Sequence, residues 1–163
     1  MTKRVENFLD QISRESESAK GEMLITQKKK QYAIRAIFEL AKHMGKGPRK
    51  ISDIAKAQEI PVRFLEVILS QLKGSGFVES KRGLYGGYTL VRSPNEITVG
   101  DVLRFMSGQD EMVDGMTDQS KDSFSFNGDV TFSSMMNRAR EAVFDVYDQT
   151  TIQNLLDNKK KQQ

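Results

Sequence analysis

Between Gly74 and Arg92 the chain carries a pattern that few folds accommodate. Two short runs suited to strands, Phe77–Lys81 and Gly87–Arg92, flank a tip rich in glycine. In and beside that tip lie a basic pair (Lys81, Arg82), three glycines (Gly83, Gly86, Gly87) and an apolar–aromatic pair (Leu84, Tyr85). Two strand-like runs joined by a glycine-containing loop predict a β-hairpin. Basic residues on a protruding hairpin suit a nucleic-acid groove. Arginine enters a narrow minor groove, and glycine lets backbone approach phosphate closely.

The residues ahead of the hairpin supply the rest of a helix-turn-helix. Tyr32, Ala33, Ala36, Ile37, Leu40, Ala41 and Met44 recur at helical spacing, predicting a helix over Gln31–Met44 that Gly45, Gly47 and Pro48 terminate. A short helix follows from Ile51 to about Gln58, with Ser52 as the expected N-cap. Pro61 opens a third helix, proline being suited to a first helical turn. Phe64, Leu65, Ile68, Leu69 and Leu72 form its expected buried face. Val62, Arg63, Glu66, Val67, Ser70 and Gln71 are left outward or at the margins. Helix, short helix, turn, helix and hairpin is the winged helix-turn-helix order, with the third helix in the recognition position.

Downstream, Thr98 and Asp101 resemble a capping box with Asp in place of Glu or Gln, opening a helix through Val102, Leu103 and Met106. Ser107–Asp129 is polar, acidic and without periodicity. Phe132, Met136, Ala139, Val143 and Val146 then alternate steps of four and three, with Met135 and Tyr147 beside them. This coiled-coil-like seam is expected to bury itself against the same helix of a second subunit. Thr150 and Thr151 mark a break and a new N-cap before a last short helix. The expected fold is therefore mainly α with a small β-hairpin wing: a winged helix-turn-helix plus a long C-terminal dimerisation helix. Its expected parts are an N-terminal extension over 1–22, read as a mobile arm, a helix laid on the body, or an extension upstream of a start at Met23, and a DNA-binding domain over 23–93. A short helix and acidic sensor-like loop over 94–131, a dimerisation helix and short terminal helix over 132–158, and a basic tail over 159–163 complete it.

Charge supports this division. The net charge is +3, yet Met23–Ser93 holds 14 Lys/Arg against 5 Asp/Glu, and residues 94–158 hold 4 against 12. A basic half joined to an acidic half fits a polyanion-binding module attached to something that does not touch the polyanion. Lys28, Lys29 and Lys30 stand at the start of the first apolar-periodic helix as candidate phosphate contacts, which position a protein without reading sequence, and Tyr32 beside them is a further candidate DNA contact. Glu66 suits cytosine N4, and Arg63 suits guanine or phosphate.

Other chemistries find little support. The chain has no cysteine and one histidine, His43, which removes disulfides, thiolate nucleophiles and thiolate-held clusters and leaves no donor set for zinc. Gly83–Gly87 runs from strand to strand rather than strand to helix, so it lacks the context of a phosphate-cradling nucleotide loop. The acidic loop lacks calcium-loop spacing, although a weak divalent-ion response there stays open. Asp145 and Asp148 are expected to be solvated charges. No paired carboxylates stand in an apolar setting, so no enzyme is expected. No apolar run is long enough to span a membrane, and the N-terminal residues show no apolar signal core. The expected location is the cytoplasm.

Tyr32–Ala36, Ile51–Ala55, Ile60–Leu72, Lys73–Val78, Arg82–Leu90, Ile97–Val102 and Thr151–Leu156, in that order, together resemble the Rrf-two family of bacterial winged-helix regulators. That family includes iron–sulfur cluster regulators, nitric-oxide-responsive repressors and a repressor of cysteine metabolism. The resemblance implies a homodimer crossing long C-terminal helices on a palindromic operator, with a glutamate at the Glu66 position in the DNA interface. Cluster-binding members carry three cysteines in the loop equivalent to Ser107–Asp129. Here Met112, Met116, Asp110, Asp114, Asp118 and Asp122 occupy it instead. The family's Lys-Gly-Arg-Tyr start appears as Lys29 to Tyr32, and residues 1–22 have no counterpart.

The expected function is a sequence-specific DNA-binding regulator, a repressor, acting as a homodimer on double-stranded DNA with no cofactor. The expected DNA contacts are Lys28, Lys29, Lys30, Tyr32, Val62, Arg63, Glu66, Val67, Ser70, Lys81, Arg82, Gly83, Leu84 and Tyr85. The expected dimer contacts are Phe132, Met136, Ala139, Val143, Val146 and Tyr147. A protein or small-molecule effector acting near the acidic loop is left open. The alternative is an interaction module, or a partner-regulated non-specific nucleic-acid binder, that keeps the fold.

Overall fold

In the computed structural model, which describes residues 3–107 and 130–161, the predicted apolar stripe of the first helix is the spine of the core. Ala33, Ala36, Ile37, Leu40 and Ala41 are all buried along one face of α1 (Lys3–Lys42). The helix starts far upstream of the expected Gln31. Residues 3–30 hold no proline, a single glycine (Gly21), and many Lys, Glu and Gln, so nothing in them interrupts helical hydrogen bonding. The expected boundary at residue 22 thus falls inside a continuous helix. Gly45 (φ 81°) and Gly47 (φ 89°) turn the chain beyond its end.

α2 (Ile51–Gln58) and α3 (Val62–Gly74) pack on this spine. The N-cap of α2 is Lys50, not the expected Ser52, and no side chain caps it. Ile51 packs against the core, which draws the helix start one residue ahead of the serine. Between the two helices Glu59 takes a left-handed conformation (φ 51°), and the Ile60 N–H donates to Ala55 O (3.0 Å). Three residues therefore make the turn of the helix-turn-helix. Leu65, Ile68, Leu69 and Leu72 of α3 are fully buried, as the periodicity predicts. Phe64 is not: it is 46% exposed, at the edge of the buried face, its ring against Tyr32 with centroids 6.4 Å apart.

β1 (Val78–Lys81) and β2 (Gly87–Leu90) pair antiparallel, Val78 opposite Leu90 and Lys81 opposite Gly87. Phe77, Val78 and Leu90 anchor the base of the hairpin in the core. A third short pairing was not predicted: Arg49 and Tyr88 exchange both backbone hydrogen bonds at 2.8 Å.

The capping box forms as predicted. The Asp101 N–H donates to Thr98 Oγ1 (3.0 Å), and the Thr98 N–H donates to Asp101 Oδ2 (3.1 Å), opening α4 (Val99–Ser107). Thr151 and Asn154 repeat the device at α6 (Ile152–Lys161), at 2.9 and 3.1 Å. The two helix starts are stapled together: the Val99 N–H donates to Thr150 O (2.8 Å) and the Ile152 N–H to Ile97 O (2.9 Å). Between them runs α5 (Val130–Gln149), which lies against α4. Lys159–Lys161, expected as a tail, are the last turn of α6. Among the described residues no helix is long and apolar enough to cross a membrane.

Ile152 has no solvent exposure and carries α6 into the shared core. Ile152→Ala should therefore lower the urea-unfolding free energy by about 2–5 kcal/mol, the range for emptying such a site. A loss below about 1 kcal/mol would show that α6 is not part of the cooperative unit.

Candidate nucleic-acid interface

The surface of α3 that the core leaves unused is a row of mixed chemistry. Val62, Arg63, Glu66, Val67, Ser70 and Gln71 are all exposed. Arg63, Val67 and Ser70 succeed one another at steps of four and three, so they share one ridge, with Glu66 beside it. A positively charged donor, an aliphatic group, a hydroxyl and an acceptor thus project outward from a rigid helix whose opposite face is locked in place.

α1 approaches the same ridge. Ile25 and Lys29 of α1 and Arg63, Phe64, Val67 and Ile68 of α3 line a groove of about 270 Å³. Of the expected lysines, Lys29 is thereby brought beside the outward row of α3, while Lys28 is exposed and Lys30 half-buried on the same helix. Tyr32 is half-buried between the Arg35 guanidinium, 5.8 Å from its ring centre, and the Phe64 ring.

The wing presents the second group. Lys81, Arg82, Gly83, Leu84 and Tyr85 are all exposed, Tyr85 almost completely. Gly83 (φ 107°) makes the turn, its carbonyl accepting from the Gly86 N–H at 3.0 Å. A side chain at Gly86 would sit 2.3 Å from Lys81 O, and one at Gly87 2.4 Å from Arg49 O. The glycines are therefore required by close backbone packing within the tip and against Arg49. The basic tip stands at the far end of the hairpin from its buried base.

What joins wing to helices is a group the sequence reading missed. Glu39, 3% exposed on α1, accepts from Arg49 Nη2 (2.8 Å), Lys42 Nζ (3.1 Å) and Gln58 Nε2 (2.9 Å). Arg49 is the residue paired with Tyr88 of β2, and Gln58 ends α2. Arg35 adds a hydrogen bond to the Gln58 carbonyl. Burial alone would raise the Glu39 pKa. The hydrogen bonds from Gln58 and Lys42 and the charges of Lys42 and Arg49 outweigh it and hold the carboxyl below its ordinary value. The only sequence signal was a carboxylate at the margin of an apolar stripe with Lys42 three residues on.

The expected dimer seam lies on α5, where Ala139, Val143, Val146 and Tyr147 are exposed and Met136 is half-buried. Phe132 is in the first turn of that helix, its side chain outside the described residues. Asp148, expected to be a free surface charge, is ion-paired with Arg104 of α4. Arg104 also lies 5.7 Å from the Phe144 ring centre. Beyond Ser107, the acidic loop with Met112, Met116 and its aspartates lies outside the described residues.

Comparison with known proteins places this geometry. Residues 26–158 match the Rrf2 family, described as an iron-dependent transcriptional regulator. The chain is 34% identical over 127 residues to the regulator CymR of Bacillus subtilis, covering 78% of this chain and 86% of that protein. It is 33% identical over 131 residues to IscR of Pectobacterium atrosepticum, covering 80% and 78%. The solved structure of B. subtilis CymR superposes with a TM-score of 0.65 at 34% identity, over 78% of this chain and 92% of that one. IscR of T. potens superposes with a TM-score of 0.66 at 29% identity, over 83% and 88%. The chain belongs to the Rrf2 family and is a DNA-binding winged-helix transcription regulator, not an enzyme. Its residues do not fit a thiolate-held iron centre, because the sequence has no cysteine. Among the described residues no three His, Asp or Glu side chains converge to hold a metal.

The Glu39 cluster sets a pH dependence. A carboxyl with a depressed folded-state pKa contributes stability that is fully present above its unfolded value of about 4.3 and lost as pH falls through the folded one. Wild-type protein should therefore lose stability as pH drops through and below that value, while Glu39→Gln is less stable at pH 7 and flatter across the acid range. Parallel urea-unfolding curves for the two proteins at all pH values would show that Glu39 is not charged and paired in solution.

Proposed function

We propose that the chain is a cytoplasmic repressor that binds a palindromic operator as a homodimer, without an iron–sulfur cluster. Each subunit lays α3 in a major groove, with Val62, Arg63, Glu66, Val67 and Ser70 facing base edges. Lys28, Lys29, Lys30 and Tyr32 meet the adjoining phosphates. Lys81, Arg82, Gly83, Leu84 and Tyr85 enter the neighbouring minor groove or track its backbone. The observation that carries this reading is the ridge of α3: Arg63, Glu66 and Ser70 are exposed hydrogen-bonding groups on a helix whose other side is fully committed to the core. The basic wing and the positive charge of Met23–Ser93 support it.

The homodimer is supported by α5. Met135, Val143, Val146 and Tyr147 remain exposed on one helix, an apolar surface that a second copy would cover. Phe132, Met136 and Ala139 continue the same seam by spacing. Two-fold symmetry of the protein then matches two-fold symmetry of the operator. Binding over a promoter would exclude polymerase, and residues 94–131 would carry the response to an effector.

Selection of bound duplexes from a random library should enrich a palindrome. If a dimer neutralises about 8 phosphates, log affinity should fall with log salt at a slope near −7. Glu66→Ala should relax selectivity at one base pair per half-site, by about 1–3 kcal/mol, while non-specific affinity is retained. Binding without enrichment at any salt would instead favour a non-specific nucleic-acid module. Val146→Asp, which puts a charge into the seam, should sediment as a monomer and bind the palindrome about 100-fold more weakly through loss of the second contact. An unchanged dimer would remove α5 as the interface.

A further inference from the structure

One residue on the ridge of α3 has no use in the fold and cannot hydrogen-bond. Val67 is 54% exposed, one turn beyond Arg63 and one turn before Ser70, the most exposed of the large apolar side chains on α3. The apolar surface does not stop there. Val67 shares the groove between α1 and α3 with Ile25, Phe64 and Ile68, and Leu24 and Val62 are also exposed on these two helices. Phe64 is propped by its edge-on contact with Tyr32 rather than buried. Cations rim this patch: Lys29 from α1 and Arg63 from α3 line the same groove. An apolar strip between cations, on a ridge of groove-reading shape, calls for a partner that offers methyl groups inside a dense array of negative charge.

We infer that Val67 reads a thymine by packing against its C5 methyl group, with the Phe64 and Ile25 side of the groove excluding water from that contact. The inference rests on the operator-binding reading above and adds a base identity to it. Duplex DNA combines the two chemistries on one fixed scaffold. Thymine is the only base that presents a methyl group in the major groove, and phosphates flank it on both sides. The charge complementarity chooses DNA over a protein as occupant of the strip. An apolar protein partner would leave Lys29 and Arg63 facing a hydrophobic surface, which costs desolvation without pairing.

The test separates this claim from the reading it rests on. The duplex enriched by selection is first compared with a scrambled duplex at the same salt. Equal affinity would sink the operator reading itself. Where the enriched duplex wins, each thymine is replaced in turn by deoxyuridine, which lacks only the C5 methyl, symmetrically in both half-sites. One thymine per half-site should prove sensitive, with affinity falling about 4-fold for one half-site and about 15-fold for both, as loss of one buried methyl each implies. Val67→Ala should bind the thymine duplex more weakly than wild type and no longer distinguish it from the deoxyuridine duplex. Helical content by circular dichroism should be unchanged, since the site is on the surface. Indifference of wild type to every replacement would overturn the inference, as would a thymine preference that survives Val67→Ala. So would specific binding by a protein that covers Phe64 and Val67 while DNA leaves them exposed.

Discussion

A carboxylate held out of water at the meeting point of three elements fixes how the helices and the wing of this protein stand to one another. Removing an ion from water is costly, and Glu39 tolerates it because Arg49, Lys42 and Gln58 all donate to it. Each donor comes from a different place: the same helix, the strand-like segment before α2, and the end of α2. Arg49 then passes the constraint into the wing through its backbone pair with Tyr88. A buried charge of this kind adds little net stability over an apolar residue, yet leaving it half-paired is strongly unfavourable. Its effect is selective: one arrangement of helices and wing satisfies the group and displaced ones do not.

The same economy shapes the exposed face of α3. α3 commits Leu65, Ile68, Leu69 and Leu72 to the core and leaves the remainder free of structural duty. Residues on that remainder are answerable only to what they meet from outside. The wing follows the same rule with different means. Its base is held by Phe77, Val78 and Leu90, while the tip carries two glycines at which any side chain would collide with backbone. Rigid support under an exposed, chemically varied surface is what recognition of a fixed partner requires.

The order of elements was legible because its signals are local. Capping at Thr98 and Thr151, most of the apolar stripe of α1, proline before α3 and glycine in the wing each act over a few residues and appear as read, while Met44, read as the end of that stripe, lies beyond α1 and is exposed. Errors arise where a neighbour from elsewhere decides the outcome. Periodicity gave Phe64 an angle on the helix but could not say that Tyr32, not the core, stands there. Ser52 was the better cap by chemistry, yet packing of Ile51 moved the helix start. Glu39, Arg49, Gln58 and Tyr88 form one cluster from four separated positions, and no spacing rule joins them. α1 shows the converse: with no proline and a single glycine over residues 3–30, helical propensity carries the helix well past the boundary expected at residue 22.

The seam on α5 has a consequence for DNA if the proposed dimer forms. α5 is not loosely appended: Arg104 of α4 holds Asp148, and the start of α4 is hydrogen-bonded to the start of α6. Gly100 of α4 leaves room for this approach, since a side chain there would meet the Asp148 carboxylate. α4 and α6 in turn pack on α1, whose other contacts place α2 and α3. Rotation of one α5 against its copy would therefore be carried through packed elements to the separation of the two α3 helices. That separation must match one helical turn of DNA, about 34–36 Å, or a multiple of it, for both half-sites to be read together. A small shift where α4 meets α5, next to residues 108–129, would thus be felt as a mismatch on the operator without altering any residue that touches a base.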